Sequence, residues 1–158
     1  MRVSILTISD SVARGEREDL SGPALVARCR ELGWEVISVL RCSDDAAEVR
    51  SQLRAFTDSG RSDVLLTTGG TGLGPRDNTP EATLDVADRV VPGLAEEIRR
   101  KGAEKTATAV LSRGVAAIRH NTLIVNLPGS PKGAVESLDA VAELLPHAVE
   151  VLRGARHD

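Results

Sequence analysis

Acidic and hydroxyl side chains follow several strand-like runs of this sequence. Ser9-Asp10-Ser11 comes directly after the apolar run 3–8, and Ser43-Asp44-Asp45 follows the run 34–40. Carboxylates hold Mg²⁺ when substrate phosphates supply further ligands, and hydroxyl groups bind phosphate oxygens. Because the ligands of open parallel sheets bind outside the carboxyl ends of the strands, these segments predict a single cleft lined by acids and hydroxyls.

A glycine-rich loop follows the third strand-like run, residues 63–68. The loop spans residues 69–74, has glycine at four of these six positions, and continues into Pro75-Arg76-Asp77. Glycine lets backbone N–H groups approach an anion, although a tight connection between elements would use the same residues. No Gly-Lys-Ser/Thr follows, and Pro75 blocks immediate entry into a helix, so neither a Walker A loop nor a dinucleotide-binding fingerprint is predicted. Arg76 favours a ligand, because arginine can clamp phosphate.

Asp44 and Asp77 are the candidate magnesium ligands, because both lie at predicted strand ends that face the cleft. Their alternative role is to cap helices. Spacing alone favours capping for Asp44, since Asp44 or Asp45 could cap the second predicted helix. Thr79, with Pro80 after it, is the better cap for the next helix, so Asp77 is the stronger functional candidate.

A second turn with proline and glycine precedes the last predicted helix. Residues 128–133 place Ser130 and Lys132 at the amino terminus of that helix. Helix amino termini bind anions, because their first backbone N–H groups have no partner within the helix. A rigid turn with an ordinary helix start explains the same residues equally well.

The elements that must position these residues alternate between short apolar runs and helical periods. This alternation predicts an α/β fold, a three-layer α/β/α arrangement with a mostly parallel central sheet, in one domain over residues 1–158. Ser21, with Pro23 behind it, is the predicted cap of the first helix. Two late runs, 115–118 and 123–127, predict a hairpin with its turn at His120-Asn121. Pro146 should kink or interrupt the last helix.

Composition excludes several classes of protein. The net charge of -3 and the two aromatic residues, Trp34 and Phe56, argue against nucleic-acid binding. No apolar stretch is long enough to span a bilayer, and the apolar stretch at the amino terminus is too short for a signal peptide. Cys29 and Cys42 form no CxxC pair, which favours a reducing, cytoplasmic compartment. The cysteines and the three histidines, one of them His157, form no pattern typical of a metal site.

The segment 67–83, which reads TTGGTGLGPRDNTPEAT, gives the sequence a recognisable resemblance. It closely resembles the molybdopterin adenylyltransferases of the Mog/MoaB type, whose fold recurs in gephyrin-like proteins. The likeness covers nearly the whole chain. Further matching motifs, in order, are Ser9-Asp10-Ser11, residues 19–23, Asp44-Asp45, residues 111–113 and residues 127–132.

The resemblance implies a reaction and a set of roles. The reaction is transfer of AMP from MgATP to the terminal phosphate of molybdopterin, with pyrophosphate released. By position, Asp44 and Asp77 match the two essential acids and would support Mg²⁺, while Ser112 and Ser130 would contact the pterin phosphate. The predicted substrate and nucleotide contacts are Ser9, Asp10, Ser11, Thr68, Gly69, Gly70, Thr71, Gly72, Arg76, Ser112, Pro128, Gly129, Ser130 and Lys132.

Two other kinds of protein are expected to have similar sequences. A molybdopterin-binding carrier would keep the fold without adenylylating the pterin, but it would not need two metal-binding acids. A molybdenum insertase usually belongs to a much longer chain than these 158 residues. The resemblance also implies a homotrimer, or a hexamer as in some MoaB-type proteins, and a hand-off of the product to an insertase.

Overall fold

A six-stranded sheet forms the centre of the computed structural model, which describes residues 1–156. The sheet order is β2-β1-β3-β6-β5-β4. Pairing is parallel from β2 to β6 and antiparallel for β6-β5 and β5-β4, so the predicted mostly parallel sheet is confirmed. The strands are β1 (Arg2–Ile8), β2 (Glu35–Cys42), β3 (Val64–Thr68), β4 (Arg89–Val90), β5 (Ala116–Arg119) and β6 (Thr122–Leu127).

Helices cover both faces of the sheet and bury a separate core on each. Side chains alternate between the faces, so Ile5 packs into one core and its neighbour Leu6 into the other. Helices α2, α5, α6 and α7 pack on the first face, while α3 and α4 pack on the second. The helices are α1 (Asp10–Ala13), α2 (Ser21–Glu31), α3 (Ala46–Asp58), α4 (Thr79–Val86), α5 (Pro92–Lys105), α6 (Pro131–Val141) and α7 (Leu145–Leu152), with a 3₁₀ helix at Ala107–Leu111. The predicted three-layer arrangement is therefore confirmed.

The parallel register aligns the strand ends that matter for function. Thr68 at the end of β3 pairs with Thr7 of β1 on one side and with Leu127 of β6 on the other. On the far side of β1, Ile8 pairs with Cys42 at the end of β2. The segments that follow these strands therefore leave the sheet at one edge, as predicted.

The carboxyl-terminal part of the chain also matches its prediction. Strands β5 and β6 form an antiparallel hairpin, and His120 at its turn has a φ of 52°. Helix α6 ends at Val141, and Pro146 lies in the first turn of α7, where its missing N–H costs nothing. His157 lies outside the described residues.

Two predicted helix caps are wrong. Ser21 is the first residue inside α2, and the carboxylate of Asp19 accepts the hydrogen bond from the Gly22 backbone N–H at 3.0 Å. Thr79 is the first residue inside α4, and its buried hydroxyl donates to the Gly69 carbonyl at 3.0 Å. Both residues are buried, and the bond to Gly69 orients the Thr79 hydroxyl.

Candidate active site

A cavity of about 620 Å³ opens at the carboxyl edge of the sheet. It is lined by segments that follow β1, β2, β3 and β6, which brings together residues far apart in the chain. Ten of the predicted site residues lie in its wall: Ser9, Asp10, Ser11, Asp44, Thr68, Gly69, Gly70, Asp77, Gly129 and Ser130.

A second cavity, of about 510 Å³, lies beside the first. Five further predicted residues line it, namely Thr71, Gly72, Ser112, Pro128 and Lys132. Its wall also includes apolar side chains such as Leu73, Ile98 and Leu111. Ser130 belongs to the walls of both cavities. The two cavities adjoin at Ser130 and form two compartments of one site, and the first contains the acids, hydroxyls and glycine backbone of the predicted cleft.

Bare backbone forms part of the wall of the first cavity, at Gly69 and Gly129. The Gly69 N–H donates to the Leu127 carbonyl at 3.1 Å. Gly69 has a φ of 103°, and a Cβ there would lie 2.2 Å from the Ile8 carbonyl oxygen. A Cβ on Gly129 would lie 3.4 Å from the Cα of Gly69. Glycine at position 69 is therefore required both by its conformation and by the approach of β1.

Asp44 does not cap α3, so the capping role that spacing favours for it is wrong. The cap is Asp45, whose carboxylate accepts from the Glu48 N–H at 3.0 Å. Asp44 instead accepts from the Asp10 N–H at 2.8 Å, while the Asp10 carboxylate accepts from the Asp44 N–H at 3.0 Å. This reciprocal pair locks the ends of β1 and β2 together and leaves the second oxygen of Asp44 free to face the cavity.

The environment of Asp44 is unfavourable for a carboxylate. Burial raises the pKa of Asp44, and the negative charges of Asp10 and Asp77 raise it further against the hydrogen bond from Asp10. Within residues 1–156, neither Asp44 nor Asp77 forms an ion pair with a basic side chain. A divalent cation between these two acids would relieve the repulsion, so the residues fit Mg²⁺. No cluster of three or more His, Cys, Asp or Glu side chains suits a metal in the described chain, so substrate oxygens would have to complete the coordination.

Arg76, a predicted nucleotide contact, lies in the wall of neither cavity, and its side chain is already engaged. Its guanidinium donates to both oxygens of Asp10, at 3.0 and 2.9 Å. These bonds hold the pKa of the Asp10 carboxyl below its usual range. The pair ties the far end of the glycine loop to the end of β1, so Asp10 and Arg76 support the shape of the cavity.

Asp77 is held by the loop that contains it, and Arg113 completes this support. The Asp77 carboxylate accepts from the Gly74 N–H at 2.8 Å, which turns the loop back on itself. Arg113 donates to the backbone carbonyls of Asp77 and Gly72, at 2.6 and 2.8 Å. The candidate residues chosen from the sequence did not include Arg113, although it follows Ser112 directly.

The serines of the second compartment combine local and cleft-facing roles. Ser130 caps α6, because its hydroxyl accepts from the Gly133 N–H at 3.0 Å. The Ser112 hydroxyl accepts from the Gly114 N–H at 3.3 Å. Lys132 is 88% exposed and lies 4.0 Å from Glu136, so its ammonium group can reach an anion in this cavity. The structure therefore shows the ordinary helix start, with Ser130 and Lys132 in the wall of this cavity.

Comparison with known proteins agrees with this geometry. A family model described as "Probable molybdopterin binding domain" matches residues 4–147. This range contains every residue that carries the two cavities. The chain belongs to the molybdenum cofactor biosynthesis family. Within the described residues, no helix is long and apolar enough to cross a membrane.

Other members of the molybdenum cofactor biosynthesis family match nearly the whole chain. The molybdopterin adenylyltransferase of Helicobacter pylori J99 is 35% identical over 98% of this chain and 89% of its own. The crystal structure of the molybdopterin biosynthesis enzyme MoaB from Thermus thermophilus superposes with a TM-score of 0.91 and 49% identity, covering 99% of both chains. A molybdenum cofactor biosynthesis bifunctional protein of Synechococcus elongatus is 35% identical over 98% of this chain. The chain spans about half the length of that bifunctional relative, at 48%.

Proposed function

We propose that this protein transfers AMP from ATP to the terminal phosphate of molybdopterin and releases pyrophosphate. The observation that carries the proposal is the pair of carboxylates without an ion-pair partner, Asp44 and Asp77, in a cavity whose wall includes glycine backbone. A carrier that only held the pterin would have no use for this costly arrangement. The sequence similarity to the molybdopterin adenylyltransferase of Helicobacter pylori supports the same conclusion.

The two cavities divide the substrates between them. The first, with its acids and glycine backbone, suits the phosphates of MgATP. The second is more apolar and has Ser112, Ser130 and Lys132 in its wall, which suits a pterin that carries a phosphate. Because Ser130 borders both, the reacting phosphates meet at that residue.

The chemistry requires alignment and charge neutralisation. A phosphate oxygen of molybdopterin attacks the α-phosphorus of ATP, a new P–O bond forms there, and the bond from the α-phosphorus to the bridging oxygen breaks as pyrophosphate leaves. The attacking oxygen is already anionic, so no side chain has to remove a proton. Asp44 and Asp77 would hold Mg²⁺, which when bound would supply positive charge to the nucleotide phosphates and the leaving group. N–H groups in the glycine loop donate to phosphate oxygens, and no covalent enzyme intermediate forms.

Pyrophosphate release by purified protein supplied with MgATP and molybdopterin tests the proposal. Asp77→Asn should lower the rate by about 100-fold or more, because it removes charge from the metal site and keeps the side-chain shape. Its pterin affinity should stay close to that of the wild type, since Asp77 lies in the other cavity. A folded wild-type protein that binds molybdopterin and releases no pyrophosphate would instead be a pterin carrier.

The assembly and the product's destination form part of the same proposal. We expect a homotrimer, with a hexamer as the alternative, in the cytoplasm. Light scattering of the purified protein distinguishes these masses from that of a 16.7 kDa monomer. The bifunctional relative joins a segment like this chain to further sequence. Such fusion supports a hand-off of the adenylylated product to a molybdenum insertase, which molybdate-dependent consumption of the product in a mixture of the two proteins would demonstrate.

A further inference from the structure

Arg113 holds the glycine loop from outside both cavities. It lies between the 3₁₀ helix and β5, where its backbone N–H donates to the Thr71 carbonyl at 2.9 Å. Its guanidinium donates from Nε to the Gly72 carbonyl at 2.8 Å and from Nη2 to the Asp77 carbonyl at 2.6 Å. It also forms an ion pair with Glu81 in α4. One side chain thus connects both ends of the loop to the following helix.

This arrangement bears on Asp77 in particular. The loop turns back at Gly74, whose N–H is bonded to the Asp77 carboxylate. Residues 73–76 are exposed, and the side chains of Pro75 and Arg76 belong to neither core. Backbone without a packed core of its own orders only when other contacts offset its conformational entropy. The planar guanidinium reaches two carbonyls at once, which a lysine ammonium on a flexible chain reproduces poorly.

We propose that Arg113 is a positioning residue that fixes the Asp77 carboxylate beside Asp44, so that one divalent cation can bind both. The inference rests on the proposed function for the meaning of that cation site. Arg113 touches no substrate: it lies in the wall of neither cavity and acts through the carbonyls of Gly72 and Asp77.

The test compares three variants of the full chain. Arg113→Met removes every donor of the side chain while keeping its length, and Arg113→Lys keeps the charge without the planar fork. Glu81→Gln is the matched control, because it removes the ion pair with Arg113 and leaves the bonds to the loop carbonyls in place. Mn²⁺ affinity is measured by electron paramagnetic resonance with α,β-methylene-ATP, which cannot release pyrophosphate. Amide hydrogen exchange is followed in the peptide that contains Gly74.

Arg113→Met should weaken Mn²⁺ binding by about 10-fold or more, the usual effect of losing support for a metal ligand. It should also speed exchange at Gly74 while the amides of β3 stay protected. Arg113→Lys should fall between Met and the wild type, and it carries the test if Arg113→Met does not fold. Glu81→Gln should stay within about two-fold of the wild type, because exposed ion pairs contribute little.

Wild-type Mn²⁺ affinity and wild-type exchange in Arg113→Met would overturn the proposal, as would the same result in Arg113→Lys if only that variant folds. Equal effects in Glu81→Gln would also overturn it, since they would place the cause in the ion pair. These readouts are independent of turnover. A wild-type protein that binds Mn²⁺ with the nucleotide but releases no pyrophosphate would refute adenylyl transfer and leave the role of Arg113 standing.

Discussion

Asp44 and Asp45 are neighbours with different roles. Substitution of Asp45 should lower thermal stability and spare activity, whereas substitution of Asp44 should lower activity and spare stability. Asp45 caps α3 through its bond to the Glu48 N–H, and loss of such a cap costs about 1 kcal/mol. For a chain of this size that corresponds to a fall in Tm of roughly 2–4 °C. Asp45→Ala should therefore melt earlier. Its rate of pyrophosphate release below the melting range should change by less than about two-fold, because Asp45 is absent from the walls of both cavities.

Asp44→Asn should show the reverse pattern. Burial raises the pKa of Asp44, so the folded protein binds this proton more tightly than the unfolded chain does. The free energy of unfolding therefore falls as pH rises from about 4, the unfolded value, through the raised pKa. Asparagine does not ionise, so the variant avoids this fall in the free energy of unfolding. Its side-chain oxygen can still accept the hydrogen bond from the Asp10 N–H, so Tm at pH 7 should equal or exceed that of the wild type. Activity should fall by about 100-fold or more, because the metal site loses a charge.

Thermal melts at pH 7 and pyrophosphate release, run in parallel on both variants, test this pair of predictions. An Asp44→Asn protein that melts several degrees below the wild type, or an Asp45→Ala protein that loses activity while remaining folded, would show that the assignment of the two carboxylates is wrong.

Asp63, at the opposite edge of the sheet, should control part of the acid stability. Burial alone would raise the pKa of Asp63, but hydrogen bonds from two arginines outweigh burial and lower it. The ionised carboxylate therefore stabilises the folded protein above about pH 4, and this stabilisation is lost as pH falls through the lowered pKa. Asp63→Asn should lower the free energy of unfolding by about 1–2 kcal/mol at pH 7 and by less at pH 3, as measured by denaturant titration. An equal loss at both pH values would contradict this explanation. Burial raises the pKa of Cys29 to about 11 and that of Cys42 to about 12. Both thiols should therefore resist alkylation by iodoacetamide at pH 8 until the protein is unfolded, as measured by mass spectrometry. Rapid labelling of the native protein would show that the thiols are more accessible than the structure implies.

The sequence predicted the sheet well because strand burial leaves a strong local pattern. Strands such as β3 and β6 are buried along their whole length and mostly apolar, and the segments after them are rich in glycine and polar residues. Parallel pairing then places the strand ends together without further information. The antiparallel hairpin at His120 could be predicted for a similar reason, because a turn of two residues separates two short strand-like runs.

Side-chain tasks at the helix starts were less predictable. Any short polar residue near a helix start can cap it, and the local sequence does not show which one turns toward the helix and which toward the core. Thr79 is drawn inward by the Gly69 carbonyl, ten residues earlier in the chain, while the capping duty at α3 falls to Asp45 and leaves Asp44 for the cavity. Arg113 was missed for a related reason: its partner Asp77 lies 36 residues away. The division into two compartments also depends on contacts between distant loops.

The bare wall at Gly69 and Gly129 has a consequence for how this protein can change over evolutionary time. Because no side chain contributes to the wall at these two positions, the residues on either side of it can be replaced without moving the wall itself. The side chains that line this cavity can thus change its preference for a ligand while the wall at the two glycines stays in place. Gly69 itself cannot be replaced in the same way, since any side chain at this position would collide with the neighbouring strand.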